Sequence, residues 1–165
     1  MMRVVIIGAT SAIAQAYARQ ISIKRGITFV LVGRNESQLK KSAQDLLVRN
    51  PNRQISVVSG DLESPQFVNQ VTQKLFSTSQ IDVVLIAQGA LPEQTSVEES
   101  PSLLKESISV NATSPAMFAD AFASRMIGQE KNSVIAIIGS VAGDRGRKSN
   151  YSYGASKAFI DAFSR

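Results

Sequence analysis

Five short apolar runs, each rich in β-branched residues, alternate along this chain with longer segments of helical period. That alternation constrains the fold more than any other feature. The runs are Val4–Ile7, Thr28–Val32, Ile55–Ser59, Val83–Ala87 and Val134–Ile138. They are apolar throughout rather than alternating, the pattern of strands buried on both faces. Between them, Ala12–Arg25 carries Ile13, Ala16, Tyr17 and Ile21 on one helical face, and Glu36–Arg49 carries Leu39, Ala43, Leu46 and Leu47. A third helix is expected over Pro65–Phe76, with Pro65 suited to a first helical turn. Leu103–Met126 reads as a long helix bent around Asn111–Pro115, and a last helix starts near Ser152. Strands separated by helices in this order predict an α/β, doubly wound parallel sheet with helices on both faces, joined by right-handed crossovers. Without repeats or linkers, residues 1–165 read as a single domain.

Composition narrows the chemistry. The 165 residues contain no histidine and no cysteine. A Ser-His-Asp relay, the usual zinc ligand sets, a disulfide framework and a thiolate nucleophile are therefore all excluded. Acid–base work near neutral pH falls to a perturbed Tyr, Lys, Asp or Glu. The net charge of +5 comes from 18 basic and 13 acidic residues. The basic residues are dispersed, so an anionic small ligand is expected rather than nucleic acid. The apolar run before Gly8 is only four residues long, against roughly 7–15 for a signal core and about 20 for a membrane span. A buried first strand in a cytoplasmic protein is the expectation.

The turn after that strand reads Gly8-Ala9-Thr10-Ser11-Ala12-Ile13-Ala14. In a doubly wound sheet it lies at the carboxyl end, where a helix N-terminus presents unpaired N–H groups to a pyrophosphate. Gly8 permits the tight turn, Thr10 and Ser11 add hydroxyls, and small residues at Ala12 and Ala14 allow close approach. After the second strand, NAD-binding folds place an acid that holds the ribose 2′-hydroxyl. Here Gly33-Arg34-Asn35 stands instead. A guanidinium suits a 2′-phosphate through charge-assisted contacts, so NADP(H) is preferred over NAD(H). The alternative is a solvent-facing arginine at the start of the second helix.

Farther on, Ser140 follows the fifth strand, and Tyr153 and Lys157 are spaced i, i+4, which puts both on one helical face. A phenol with a pKa of about 10 is a poor base at neutral pH, but a neighbouring ammonium favours the phenolate. Ser140 can donate to a substrate carbonyl whose oxygen gains charge as hydride arrives, the hydride itself being the cofactor's contribution.

With these elements in hand, the chain resembles the short-chain dehydrogenase/reductase family and its Rossmann-like fold. The resemblance rests on the glycine turn, Asp61-Leu62 after the third strand, Gly89 after the fourth, Asn111, Ser140 and the Tyr153–Lys157 pair. It implies catalysis by Asn111, Ser140, Tyr153 and Lys157, with Asn111 helping to hold a water in a proton relay to the lysine. It also implies cofactor contacts from Gly8, Thr10, Ser11, Ile13, Arg34, Asp61, Leu62, Gly89, Tyr153 and Lys157, the aspartate meeting the adenine and the lysine the nicotinamide ribose. No metal is implied. Residues Ile6–Ala14 and Ser140–Arg145 are similar to the branch containing decaprenylphosphoryl 2-keto sugar reductases. Two departures stand out: Ala12 and Ala14 replace turn glycines, and Ile86-Ala87-Gln88-Gly89 replaces Asn-Asn-Ala-Gly, removing the asparagine that braces the sheet. Ala87 therefore has no polar role.

Arg145, Arg147 and Lys148 fall on the loop between Ser140 and Tyr153. They read either as a site for an anionic substrate, such as a phosphorylated or lipid-linked keto sugar, or as a solvated loop. Family members continue beyond the tyrosine helix into two more strands and a substrate-covering loop. The chain is thus expected to be a fragment, or a truncated protein with strand five as an open edge. The principal expectation is an NADP(H)-dependent oxidoreductase acting on a small-molecule ketone or secondary alcohol. A non-catalytic nucleotide-binding module and an extended-type nucleotide-sugar epimerase or dehydratase are the alternatives. For an intact chain the family also implies a homodimer or tetramer; here Ser107–Met126 could serve as interface, while the second interface helix of the family is incomplete.

Overall fold

A computed structural model describes residues 1–129 and 132–165. Five parallel strands, β1 (Met2–Ile7), β2 (Ile27–Gly33), β3 (Ile55–Ser59), β4 (Val83–Ile86) and β5 (Val134–Ile137), form one sheet in the order β3-β2-β1-β4-β5. The chain builds outward from β1 in one direction through β3, then returns to β1's other side with β4 and β5. The order reverses between β1 and β4, and ligands of such sheets bind at the carboxyl ends beside that point.

The helices are α1 (Ala12–Ile21), α2 (Glu36–Arg49), α3 (Pro65–Phe76), α4 (Gln94–Glu98), α5 (Pro101–Ile108), α6 (Ser114–Met126) and α7 (Tyr151–Phe163). Short polar side chains start four of them: Ser11, Asn35, Ser64 and Ser100 each accept an N–H from the residue three positions on, satisfying one of the donors a helix start leaves unpaired. Prolines follow two of these caps, at Pro65 and Pro101, where a missing N–H costs nothing.

The strands' alternation splits the core in two. Val4, Ile6, Phe29, Leu31 and Leu85 face one way, packing with Ala14 and Ala18 of α1 and Leu39 and Leu46 of α2. Val5, Ile7, Val30, Val32, Val84 and Ile86 face the other, against Val68 and Leu75 of α3 and Phe118 and Phe122 of α6. Each of these phenylalanines is fully buried, which contributes about 1.5–3 kcal/mol of transfer free energy apiece.

Several expectations need correction. β1, β2 and β4 are deeply buried on both faces, whereas β3 is only partly buried, with Ile55 and Val57 against one core and Val58 against the other. β3 and β5 are the sheet's edges, and on β5 Ile135 and Ile137 turn to the core while Val134 is 56% exposed. The first helix ends at Ile21 rather than Arg25, because the following carbonyls bond elsewhere. Arg53 donates to the carbonyls of Ser22, Lys24 (3.0 Å) and Ile27 (2.9 Å). The inward stripe of α1 is Ala14, Tyr17, Ala18 and Ile21. Ile13, about 100° round the helix from Ala14, is 55% exposed. The long helix starts at Pro101 and is interrupted by a π-turn over Ser109–Thr113. Pro115 has no N–H for the Asn111 carbonyl four residues back, and the ladder adjusts around that gap. The short α4 carries too little periodicity to be foreseen.

Candidate active site

The glycine turn sits where β1 meets β4. Gly8 has φ +75°, a conformation that L-residues with a Cβ avoid. A Cβ there would also lie 2.5 Å from the Gln88 amide nitrogen. Thus Gly8 is required by the backbone angle and by the neighbouring strand end alike. The Gly8 and Ala9 amides both donate to the Val32 carbonyl, at 2.9 and 3.0 Å, which ties this turn to the end of β2. Ser11 Oγ is occupied in capping α1.

A cleft of about 230 Å³ opens here, lined from the carboxyl ends of β1 to β4 by Gly8, Thr10, Ser11, Arg34, Leu62 and Gly89 among others. These are six of the residues expected to bind cofactor. Two more fall outside the lining. Ile13 points away on the outer side of α1, and exposed Asp61 uses Oδ1 to accept the Glu63 amide at 2.9 Å. Glu63 lines the cleft in its place. At the end of β2, the acid Glu36 is paired with Lys40 at 2.7 Å and stands outside the lining, leaving Arg34 as that strand end's charged group in the cleft.

Gln88 and Ser114 also line the cleft and were not foreseen. Buried Gln88 donates through Nε2 to Ser114 Oγ, which donates to the Leu62 carbonyl at 2.5 Å. This chain links the end of β4, the start of α6 and the β3–α3 loop. The tie comes from the residue immediately after Ala87, where the family's bracing asparagine is missing. The departure at Ala87-Gln88 was the one sequence signal; nothing local marks Ser114 as its partner.

The second half of the site gathers around Lys157. Only 3% exposed, Lys157 donates from Nζ to the Ile138 carbonyl at 2.9 Å, and Nζ lies 5.7 Å from the centroid of the Tyr153 ring one turn earlier on α7. Burial pushes its pKa below the ordinary 10.5, since the charged form loses hydration. Asn111 is fully buried. Its Nδ2 donates to Ala90 O (2.7 Å) and Ser107 O (2.9 Å), and its Oδ1 accepts from Ala90 N at 3.0 Å. The amide is therefore engaged in holding the chain just after Gly89. A methyl on Gly89 would lie 3.0 Å from Asn111 Oδ1 and 3.8 Å from Lys157 Nζ. Gly89 thus belongs to both the cleft and the lysine cluster and joins them.

Ser140 caps the 3₁₀ turn Val141–Gly143, its Oγ accepting the Ala142 amide at 3.2 Å. That turn packs tightly on α7: a Cβ on Gly154 would sit 2.6 Å from the Ala142 carbonyl. The half-buried Tyr153 and Ser140 are therefore carried by two segments in direct contact. Arg145, Arg147 and Lys148 are exposed, outside the cleft lining, and make no ion pair among the described residues.

A nicotinamide dinucleotide fits this arrangement. The positive-φ glycine turn, the start of α1, the Thr10 hydroxyl and Arg34 would offer the donors for its phosphates, and bare Gly89 lies between that cleft and the lysine. Among the described residues no cluster of acidic side chains could hold a metal ion, and no helix is long and apolar enough to cross a membrane.

The family model described as short chain dehydrogenase matches residues 2–165. An uncharacterized oxidoreductase of Streptomyces coelicolor is 29% identical over 97% of this chain and 62% of its own length. A human protein named inactive hydroxysteroid dehydrogenase-like protein 1 is 24% identical over 98% of this chain and 48% of its own. The chain therefore spans roughly half to two thirds of these curated relatives. Among solved structures, a short chain dehydrogenase of Salmonella enterica superposes with a TM-score of 0.83 at 23% identity, over 98% of this chain and 68% of that one.

Proposed function

The chain belongs to the short-chain dehydrogenase family, and from that premise we propose that it is an NADP(H)-dependent oxidoreductase interconverting a ketone and a secondary alcohol. The observation that carries this reading is the junction at Gly89, where the glycine-turn cleft meets buried Lys157 beneath Tyr153.

The bound cofactor supplies the hydride. Ser140 Oγ orients the substrate oxygen, and the Tyr153 phenol delivers a proton to it as negative charge builds. Lys157 Nζ, fixed by the Ile138 carbonyl, stabilises the resulting phenolate and reaches toward the cofactor ribose. Asn111 holds the Gly89–Ala90 backbone in place and supports the proton path to the lysine. Arg34 supports NADP(H) over NAD(H), because it lines the cleft at the end of β2 while Glu36 lies outside that lining. Exposed Arg145 and Arg147 favour an anionic substrate, such as a phosphorylated or lipid-linked keto sugar. We propose a cytoplasmic protein and, for an intact chain, a homodimer or tetramer to which Ser107–Met126 could contribute.

Replacing Tyr153 with Phe is expected to lower NADPH-dependent carbonyl reduction by about 10²–10⁴-fold, the usual scale for general acid–base catalysis, with NADPH affinity little changed. Turnover retained in that variant would refute the assignment. Replacing Arg145 and Arg147 with Ala should raise KM for an anionic substrate and spare a neutral ketone, whereas equal effects on both would remove them from the site. A second reading, nucleotide binding without turnover, draws support from the likeness to the inactive human protein. NADPH binding by calorimetry, with no oxidation by a panel of carbonyls, would put it first.

A further inference from the structure

The helix that carries Tyr153 and Lys157 begins without a side-chain cap of its own. Asn150, at its N-cap position, makes no capping hydrogen bond, and its Oδ1 is buried without a partner. A helix start leaves its first N–H groups unpaired, and a buried one needs acceptors from elsewhere. Here the acceptor comes from 58 residues away: Gln94 Oε1 accepts the Ser152 amide at 3.1 Å, and Gln94 Nε2 donates back to Ser152 Oγ at 3.0 Å. Both residues are buried, at 6% exposure each. One side-chain amide thus grips both the backbone and the side chain of the residue immediately before Tyr153. Ser152 is further fixed by the Ser156 hydroxyl, which donates to its carbonyl at 3.0 Å.

Gln94 opens α4, on the segment that leaves β4 through Gly89 and Ala90. The same segment is held four residues earlier by Asn111. The post-β4 segment is therefore anchored to the π-turn by Asn111 and to the start of α7 by Gln94. We propose that Gln94 is a positioning residue that caps α7 from outside and sets where the Tyr153 hydroxyl lies relative to the cleft. This rests on the proposed reaction for its kinetic consequence, but not for the clamp itself. A ring at the third residue past the N-cap moves with the first turn. Misplacement of a reacting group by about 1 Å can cost on the order of 10²-fold in rate. The far end of α7, buried at Lys157 and Ile160, keeps its own contacts.

The test compares wild type, Gln94→Ala and Gln94→Glu as the full chain. A glutamate keeps the acceptor for the Ser152 amide and can accept from its hydroxyl, so it preserves the cap. Alanine removes both bonds. Amide hydrogen exchange read at Ser152–Gly154 should quicken at least tenfold in the alanine variant, stay near wild type in the glutamate variant, and remain unchanged at Ile160 in both. Unchanged exchange at Ser152 in the alanine variant would overturn the clamp whether or not the chain turns over. In kinetics, the alanine variant should lose about 10- to 100-fold in kcat with NADPH Kd within twofold of wild type, and the glutamate variant should recover most of kcat. Loss of kcat and NADPH affinity together, or failure of glutamate to restore kcat, would reduce Gln94 to a general structural role and refute the positioning. A wild-type chain that binds NADPH but reduces no carbonyl would instead sink the proposed reaction, with the exchange comparison still deciding the clamp.

Discussion

Lys157 is buried with no carboxylate partner among the described residues, and its energetics follow from that. Its pKa in the fold lies below 10.5 because burial strips hydration from the ammonium. The unfolded chain therefore holds this proton more tightly than the folded one. Below the folded-state pKa the charged lysine is a constant cost to stability. As pH rises through that value toward 10.5, the cost is relieved and stability increases. Lys157→Met should abolish carbonyl reduction while flattening this rise. Urea unfolding of both proteins from pH 7 to 10.5 checks it, and parallel stability curves would contradict the burial argument. Arg34 is tested by cofactor choice. Arg34→Ala should weaken NADPH binding by about tenfold or more, the scale of one charge-assisted contact at 1.5–3 kcal/mol, and leave NADH binding nearly unchanged. At this scale much was legible. Tyr153 and Lys157 are paired by spacing alone, because i, i+4 neighbours on a helix meet whatever the rest of the fold does. Asp61 and Ile13 were less so, since a position in a motif does not say which way the side chain points.

At the scale of elements, the β1–α1 turn and the α1–β2 connection carry sharp dependencies. Gly8→Ala would force a Cβ into a positive-φ site against the Gln88 backbone. The expected loss is on the order of 2–5 kcal/mol, combining left-handed strain with overpacking. A midpoint shift in denaturant below 1 kcal/mol would mean that β4 can yield. Arg53 terminates α1 by gathering two carbonyls of the α1–β2 connection and that of Ile27 at the start of β2, so Arg53→Leu should cost about 1.5–3 kcal/mol. Strand and helix existence could be read from period and capping chemistry. The end of α1 could not, because the guanidinium that bonds those carbonyls arrives from the α2–β3 turn. Nor could the π-turn, since Pro115 announced a break and only packing selected its form.

For the molecule as a whole, the strand order makes β5 an edge, with Val134 exposed and no described strand on its outer side. Open edges invite pairing between chains. A polypeptide of these 165 residues is expected to self-associate with concentration, and Val134→Lys should reduce that in light scattering. An unchanged profile would place the association elsewhere. What the sequence determined by itself is the parallel α/β architecture, the glycine turn and the Tyr153–Lys157 pair, all of which follow from local period, backbone angle and helical spacing. Only the tertiary structure decided which residues meet across the chain: Gln88 with Ser114, Gln94 with Ser152, and Gly89 with Asn111 and Lys157. Those contacts join residues tens of positions apart, and their partners are chosen by how the helices pack on the sheet, which no local pattern records.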